Sequence, residues 1–355
     1  MSALRLPRLL LASLTALALS SCAHLGPRTV TTDRFDYNSA IGDSWKQQTL
    51  LNIVKLRYAD MPVFVDVASI VSGYSLETNV TVGTNVFPSV NGDSVNVGAL
   101  GRYIDRPTIT YIPKTGEKFL RSLVTPIDPK NIFFLLQSGY PADFILALSV
   151  DAINGVRNRA ATAVSLRKAD PEFLQALQLL REIQAAGGFG MRVEINPAKD
   201  RTAVLFFRQK DLPPDMEAKA LEVRRLLKLP PDRQNYVIVY SPVPGADNEI
   251  AVTSRSMLQI MASFASYVDA PDAHQLQQAE TQSADSTDPV GSVRIHSAET
   301  KPADAFVAVP YRKRWYWIED NDVQTKRAFS AVMLLFTLTD EAGAEALPVV
   351  TIPAQ

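Results

Sequence analysis

The sequence predicts an α+β fold, with mixed antiparallel sheets and packed helices that follow a cleaved signal peptide. Of the 355 residues, 46% are hydrophobic and 21% are charged, which is enough apolar material for a sizeable core. Between 191 and 268, runs with alternating apolar residues and runs with helical spacing occur in the order strand, strand, helix, strand, strand, helix. That mixed order is typical of α+β layers and not of a doubly wound parallel sheet.

The first 21 residues have the pattern of a secretory signal. Arg5 and Arg8 give a basic start, and an apolar run extends from Leu9 to Leu19. A spanning helix needs about 20 apolar residues, so this run is too short to cross a membrane and suits a removable signal. We therefore expect residues 1–21 to be cleaved.

A second motif follows at once. The segment LSSC at 19–22 resembles the lipobox of bacterial lipoproteins, in which an aliphatic residue and two small residues precede a cysteine. The resemblance implies cleavage before Cys22 and lipidation of its thiol, with residues 22–32 as a lipidated tether. Cys22 is the only cysteine, so no internal disulfide is possible. The alternative is a plain secretory signal followed by a free thiol.

The residue after Cys22 indicates the membrane in which a lipoprotein is located. In Gram-negative lipoproteins, an aspartate at this position favours retention in the inner membrane, and this chain has Ala23. For a Gram-negative host, the resemblance implies a protein that is lipid-anchored in the outer membrane and faces the periplasm.

Residues 33–165 are predicted to hold a helix, a long β-hairpin and a helical block. The helix extends from about Phe35 to Tyr58, with Asp33 or Asp36 as its cap, and a strand follows at 63–67. The hairpin covers 73–104, with a turn at 88–92 and a further strand at 107–111. Its faces are small, polar and low in charge, so its exposed edge needs a partner or a cover.

The helical block is predicted to contain three helices. They cover about 115–123, 128–137 and 142–156, with Thr115 as a possible cap of the first. Asn154-Gly155 is interpreted as the left-handed stop of the third helix.

The remaining chain divides into three parts. Residues 166–270 are predicted to form an α+β segment, and the polar run at 271–290 a disordered loop. Residues 291–355 are predicted to form a C-terminal α+β segment that packs on the body, with a strand at 315–318, a helix at 322–336 and a short strand at 349–352.

Several function classes lack support in the sequence. The formal net charge of −1 gives no electrostatic basis for nucleic-acid binding. None of His24, His274 and His296 has a second ligand at helical or turn spacing, so no metal site is predicted. There is no G-x-S-x-G elbow and no phosphate-binding glycine loop, so we predict no cofactor and assign no catalytic residue.

An aromatic–basic segment near the C-terminus is the candidate binding surface. In a strand, Trp315 and Trp317 share one face, while Tyr316 and Ile318 share the other. Aromatic and arginine side chains can stack on sugars or peptides, and the alternative is a core strand with one buried face. The candidate residues are Arg312, Arg314, Trp315, Tyr316 and Trp317.

Clustered acids follow this segment. Glu319, Asp320 and Asp322 stand between the tryptophan-rich strand and the predicted helix. They suit acid–base chemistry or cation binding, or alternatively the capping of the helix start, where acids complement the helix dipole.

The body is similar to a group of predicted bacterial lipoproteins to which no activity is assigned. The phrases that carry the similarity are LLNIVKLRYADMPVF, RPTITYIPKTGEKF, SVDAINGVRN and RWYWIEDNDVQTKRAFSAVMLLF. The resemblance supports the lipoprotein class and implies no mechanism.

Three function hypotheses remain. The first is a membrane-anchored periplasmic lipoprotein with a binding, scaffolding or envelope-assembly role, whose partner is an envelope protein or a second copy. The alternative is a cell-wall or carbohydrate-active enzyme that uses the acids at 319–322 beside Trp315 and Trp317. A third, insertion of the hairpin into a membrane as part of an oligomeric pore, is disfavoured because the hairpin lacks aromatic girdles and a continuous apolar face.

Overall fold

The computed structural model describes residues 29–71, 74–85, 94–105, 108–161, 166–195, 201–208, 213–271 and 293–339. The chain has the predicted α+β fold. The helices are α1 (Thr29–Arg57), α2 (Glu117–Val124), α3 (Pro129–Gln137), α4 (Ala142–Ser149), α5 (Pro171–Ala185), α6 (Pro214–Leu226), α7 (Met257–Ala265) and α8 (Val323–Thr339).

The strands form one larger sheet and several small ones. In chain order they are β1 (Phe64–Val71), β2 (Tyr74–Asn85), β3 (Ser94–Asp105), β4 (Thr108–Lys114), β5 (Val150–Ile153), β6 (Val156–Arg157), β7 (Ala160–Ala161), β8 (Leu166–Arg167), β9 (Phe189–Ile195), β10 (Arg201–Phe207), β11 (Asn235–Tyr240), β12 (Glu249–Ser254), β13 (His296–Ala298), β14 (Val307–Tyr311) and β15 (Arg314–Ile318).

The larger sheet has six strands in the order β6-β5-β12-β11-β10-β9. Its neighbours are antiparallel except β11 and β12, which are parallel, so the sheet is mixed as predicted. Helices α3, α4 and α5 contact this sheet. The buried stripe of α5, which includes Phe173, Leu177 and Ile183, belongs to the core beneath them. This helical stripe matches the spacing expected of an amphipathic helix.

The C-terminal part adds a three-stranded antiparallel sheet in the order β13-β15-β14. Helix α1 contacts β14 and α7, and α8 contacts α7. Leu50 from α1, Tyr316 from β15 and Phe329 from α8 are all buried in one cluster with the residues of the larger sheet. The first and last helices therefore share a core with the middle of the chain.

The predicted helix at 142–156 is wrong in its second half. Helix α4 ends at Ser149, and the following residues form the β5–β6 hairpin. Asn154 and Gly155 have φ values of 47° and 77°, so they are the two central residues of a tight hairpin turn. Asn-Gly is a favoured pair for such a turn because both positions need positive φ. The interpretation of this pair as a helix stop is therefore wrong.

Two predicted caps are also wrong. Helix α1 begins at Thr29, before Asp33 and Asp36, so neither aspartate is its cap. Helix α2 begins at Glu117 with Gly116 at its N-cap position, and no side chain caps it. By contrast, Asp128 caps α3 through the Lys130 backbone N–H, at 2.9 Å.

Some predictions lie outside the described residues. These include the signal peptide at 1–21, Cys22 and Ala23, the hairpin turn at 88–92, the strand at 349–352 and all but the first residue of the loop at 271–290.

Candidate interaction surface

Strands β1 to β4 form two antiparallel ladders, β1 with β4 and β2 with β3, which we together call the arm. β1 pairs with β4 over seven residue pairs, and β2 pairs with β3 over twelve. Val71 lies opposite Thr108 and Tyr74 lies opposite Asp105, so the second ladder keeps the register of the first. At about 3.3 Å per residue, β2 alone is about 40 Å long. The predicted pairing of the two strands of the long hairpin is therefore present, and the flanking strands β1 and β4 pair in the same register.

The arm is rooted in the body by apolar contacts and hydrogen bonds. Phe64, which begins β1, is 1% exposed and stacks on Phe336 of α8, with ring centroids 5.0 Å apart. The buried Asn52 of α1 donates to the Val63 carbonyl at 2.8 Å and accepts from the Val63 N–H at 2.9 Å. Gln48 accepts a hydrogen bond from the Val65 N–H at 2.7 Å. These contacts hold the start of the arm against helices α1 and α8.

One face of the arm is apolar and partly open to solvent. Residues directly opposite in an antiparallel ladder share a face. Val67 lies opposite Tyr111 and Ile70 lies opposite Ile109, and Val65 is on the same face. Tyr111 is 59% exposed and Ile109 is 40% exposed. We call Val65, Val67, Ile70, Ile109 and Tyr111 the apolar face.

A β-bulge determines which residues share the apolar face. It lies between Val67 and Ser69 and shifts the phase of alternation by one residue. Val65 and Val67 therefore share a face with Ile70, and a simple alternating count misses this.

The aromatic–basic segment lies in the C-terminal sheet with β15 at its centre. Tyr316 and Ile318 are completely buried, so they point to the core as the alternation predicted. Tyr316 was a candidate surface residue, and its burial removes it from any accessible surface. Its hydroxyl is 2.5 Å from that of Tyr58, just after helix α1. Trp315 and Trp317 lie on the opposite, half-buried face.

Arg312 joins the C-terminal hairpin to the root of the arm. Its guanidinium is 3.0 Å from the Asp60 carboxylate and lies over the Tyr58 ring, 4.7 Å from the centroid. Tyr311 also donates a hydrogen bond to Asp60. Arg312 and Lys313 form the hairpin turn, with φ values of 46° and 64°. Within the described residues, Arg312 therefore serves the packing of the hairpin against helix α1.

A small cluster remains on the outer face of this sheet. His296 stacks on Trp317, with ring centroids 5.5 Å apart, and its Nε2 is 3.7 Å from Glu319 Oε1. The Lys301 ammonium lies over Trp315, 5.4 Å from the ring centroid. The structure thus brings a tryptophan, a histidine and a carboxylate together, and sequence spacing gave no sign of the histidine.

The acids that follow have structural partners. Asp322 accepts hydrogen bonds from the Thr325 N–H at 2.9 Å and from the Thr325 hydroxyl at 2.5 Å, which is the geometry of an N-cap for α8. Asp320 pairs with Lys326, with 2.7 Å between Oδ1 and Nζ. Of the candidate acids, Glu319 is the one beside the tryptophans.

None of the helices among the described residues is both long enough and apolar enough to cross a membrane. No group of three or more His, Cys, Asp or Glu residues that could hold a metal ion occurs in the described ranges.

Comparisons of the chain with protein-family models, with curated proteins and with solved structures found no match.

Proposed function

We propose that this chain is a membrane-anchored periplasmic lipoprotein that assembles with copies of itself through the arm and serves as a scaffold in the envelope. The observation that carries the proposal is the apolar face, which lies on a ladder of only two strands, β1 and β4, in the part of the chain that the structure describes. The resemblance of residues 19–22 to a lipobox supports anchoring to a membrane.

Physical chemistry favours a partner for the arm. A two-stranded hairpin is at best marginally stable alone in water and needs further strands or a packed face. Burying a Val or Ile side chain contributes about 1.5–3 kcal/mol, so covering Val67, Ile70 and Ile109 would add to the stability of the arm. The free edges of the arm also offer backbone donors and acceptors to an added strand.

A second copy fits the arm because the face carries no charge. The members of the apolar face are uncharged, so two copies can approach without repulsion. The charged pair at the root, Asp66 with Lys114 at 3.0 Å, lies on the opposite face. The β1 edge of one arm can pair with the β4 edge of the next, and such head-to-tail contacts repeat from copy to copy.

The test compares the two faces of the arm. Ile109→Glu with Tyr111→Glu places two charges on the apolar face, and Thr108→Glu with Thr110→Glu places two on the other face of the same strand. We expect the acylated wild type and the Thr variant to be oligomers, and the Ile/Tyr variant to be a folded monomer. Mass photometry and sedimentation measure the size, and circular dichroism checks the fold.

Two results would overturn the proposal. An Ile/Tyr variant with the same oligomeric state as the wild type would show that the apolar face is not the interface. A monomeric wild type that retains a different envelope protein through this face would keep the scaffold role and overturn self-assembly.

A second candidate is a cell-wall or carbohydrate-active enzyme, favoured by the stack of Trp317 on His296 beside Glu319. Aromatic faces bind sugars, and a carboxylate next to an imidazole can transfer a proton. Release of soluble fragments from purified peptidoglycan by the wild type, but not by Glu319→Gln, would support it. Equal release by both, or none by either, would remove Glu319 from consideration.

A further inference from the structure

We propose that the open edge of β9 binds an extended peptide segment of a partner protein that carries an acidic side chain. β9 is the last strand of the six-stranded sheet, and in the described ranges no strand pairs with its outer edge. This surface is formed by different residues from the arm and does not depend on the proposed self-assembly.

The backbone of β9 offers hydrogen-bonding groups at this edge. The Arg208 N–H donates to the Gly188 carbonyl at 2.8 Å, and the ladder continues with Phe189 opposite Phe207. In an antiparallel ladder, hydrogen-bonded pairs recur at every second residue. Gly190 and Arg192 therefore bond to β10, and the N–H and carbonyl groups of Phe189, Met191 and Val193 face the open edge. An extended peptide can add to such an edge as a further strand.

A groove of about 580 Å³ runs beside this edge. Its floor is apolar and is formed by Phe133, Leu136, Phe189, Met191 and Leu205. Further along the same edge, Val193 is 57% exposed. An added strand would place alternate side chains toward the groove, so apolar residues at every second position fit it.

The groove is built by fixed contacts between helices. The Gln184 side chain of α5 donates to the carbonyls of Leu136 and Tyr140, both at 2.8 Å, and accepts from the Ala142 N–H at 2.8 Å. These bonds hold the end of α3 and the start of α4 against α5. The groove is thus largely formed before any ligand arrives, as is usual for binding sites.

The charge of the rim selects an anionic group. Arg181 and Arg208 line the groove, and none of the described lining residues is acidic. Arg181 pairs with Asp143 at 2.8 Å, whereas the exposed Arg208 makes a 3.4 Å contact with the Gly187 carbonyl and no ion pair among the described residues. A carboxylate on the peptide would give Arg208 a charge-assisted partner, and arginine suits carboxylates because its donors can bind both oxygens.

The probe is a phage-displayed library of random seven-residue peptides, selected on the immobilised full chain. We expect the enriched peptides to have apolar residues at alternate positions and at least one Asp or Glu. The same peptides, made synthetically with blocked ends and a fluorescent label, then measure affinity by anisotropy.

Four variants test the two parts of the site. Val193→Pro removes an N–H from the open edge, and its control Val193→Thr keeps that N–H. Arg208→Glu reverses the charge of an arginine at the rim. Its control, Arg225→Glu, reverses the charge of an arginine on α6, outside the groove. We expect both test variants to lose about tenfold or more in affinity, the change expected from losing one or two net hydrogen bonds, and both controls to bind as the wild type does.

Hydrogen exchange supplies a second measurement should Val193→Pro fail to fold. Bound peptide should protect the amides of Phe189, Met191 and Val193 in the wild type. No enrichment, or equal binding by the test and control variants, would overturn the proposal. Protection absent from β9 while Arg208→Glu still weakens binding would overturn strand addition. The arm variants Ile109→Glu and Tyr111→Glu should bind the peptides normally, which separates this test from that of self-assembly.

Discussion

The sequence allows two roles for Asp322, and the structure supports one of them. An acid beside tryptophans fits proton transfer, and the same acid at a helix start fits a cap. Both of its carboxylate oxygens accept hydrogen bonds from Thr325, which is completely buried. A carboxylate held in this way at an N-cap compensates a backbone donor that the helix itself leaves unpaired.

We therefore expect Asp322→Ala to lower the free energy of unfolding by about 1 kcal/mol, the usual cost of losing an N-cap. Asp322→Ser retains a capping oxygen and should lose less. Urea unfolding followed by circular dichroism measures both. An Asp322→Ala protein with unchanged stability would contradict the assignment of Asp322 as a cap.

A second residue-level prediction concerns the turn between β14 and β15. Lys313 has a φ of 64°, a left-handed conformation that costs a residue with a side chain about 1–2 kcal/mol and costs glycine little. Lys313→Gly should therefore stabilise the protein by about 1 kcal/mol, part of the relief being offset by the greater freedom of glycine when unfolded. Thermal unfolding measures the change. Lys313→Ala, which keeps the unfavourable φ, is the control, and equal stability of the two variants would argue against strain.

At the scale of elements, local signals predicted most helices and strands well. Asp128-Pro129 marked the start of α3, and its end at Gln137 was also predicted. Local signals failed where one pattern serves two structures, as with Asn154-Gly155. They also failed at the bulge after Val67, because a single inserted residue reverses which positions share a face. That reversal hid the apolar face, which is the candidate site that the sequence did not reveal.

Contacts between distant elements could not be predicted from local patterns. The groove beside β9 combines residues from Phe133 to Arg208 that only the packing of α3, α5 and the sheet brings together. His296 reaches Trp317 by strand pairing between β13 and β15. Neither contact leaves a periodic signal in the sequence. Periodicity shows which face of an element is buried, but not which other element covers that face.

Helices α5 and α6 are joined by an ion-pair network that makes a prediction about pH. Lys219 of α6 is 2.9 Å from both Glu182 of α5 and Asp215. Hydrogen bonds to Lys219 lower the pKa of Glu182 and of Asp215 from their usual 4.5 and 3.8, and hydrogen bonds to the two acids, Glu182 first, raise the pKa of Lys219 above 10.5. The acids thus favour folding above their unfolded pKa values, and that contribution is lost as the pH falls through their folded values.

We expect Lys219→Met to be less stable than the wild type near neutral pH, by a small margin because the groups are at the surface. The difference should shrink as the pH falls below about 4 and should also shrink in about 1 M salt. Urea midpoints across this range measure it. Lys118→Met on α2, an exposed lysine with no ion pair among the described residues, is the control. A difference that stays constant with pH would contradict the network.

At the scale of the whole molecule, two features bear on where the protein is located: the proposed lipid anchor and the apolar face of the arm. A single acyl chain binds a membrane only marginally, whereas several chains on one residue hold a protein there stably. The apolar face could also associate with an envelope component. Location must therefore be measured with the anchor and the arm altered separately.

In a Gram-negative host, we expect the wild type to fractionate with the outer membrane and to have the mass of a chain cleaved before Cys22 and acylated. Cys22→Ser should abolish the acylated mass and the membrane association, because the thiol that takes the lipid is gone. Ala23→Asp should keep the lipid and move the protein to the inner membrane. Ile109→Glu with Tyr111→Glu should alter the oligomeric state and leave location unchanged. If Cys22→Ser stays in the outer membrane, the body of the protein and not the lipid determines the location. If the Ile109→Glu, Tyr111→Glu variant leaves the outer membrane, the apolar face determines it.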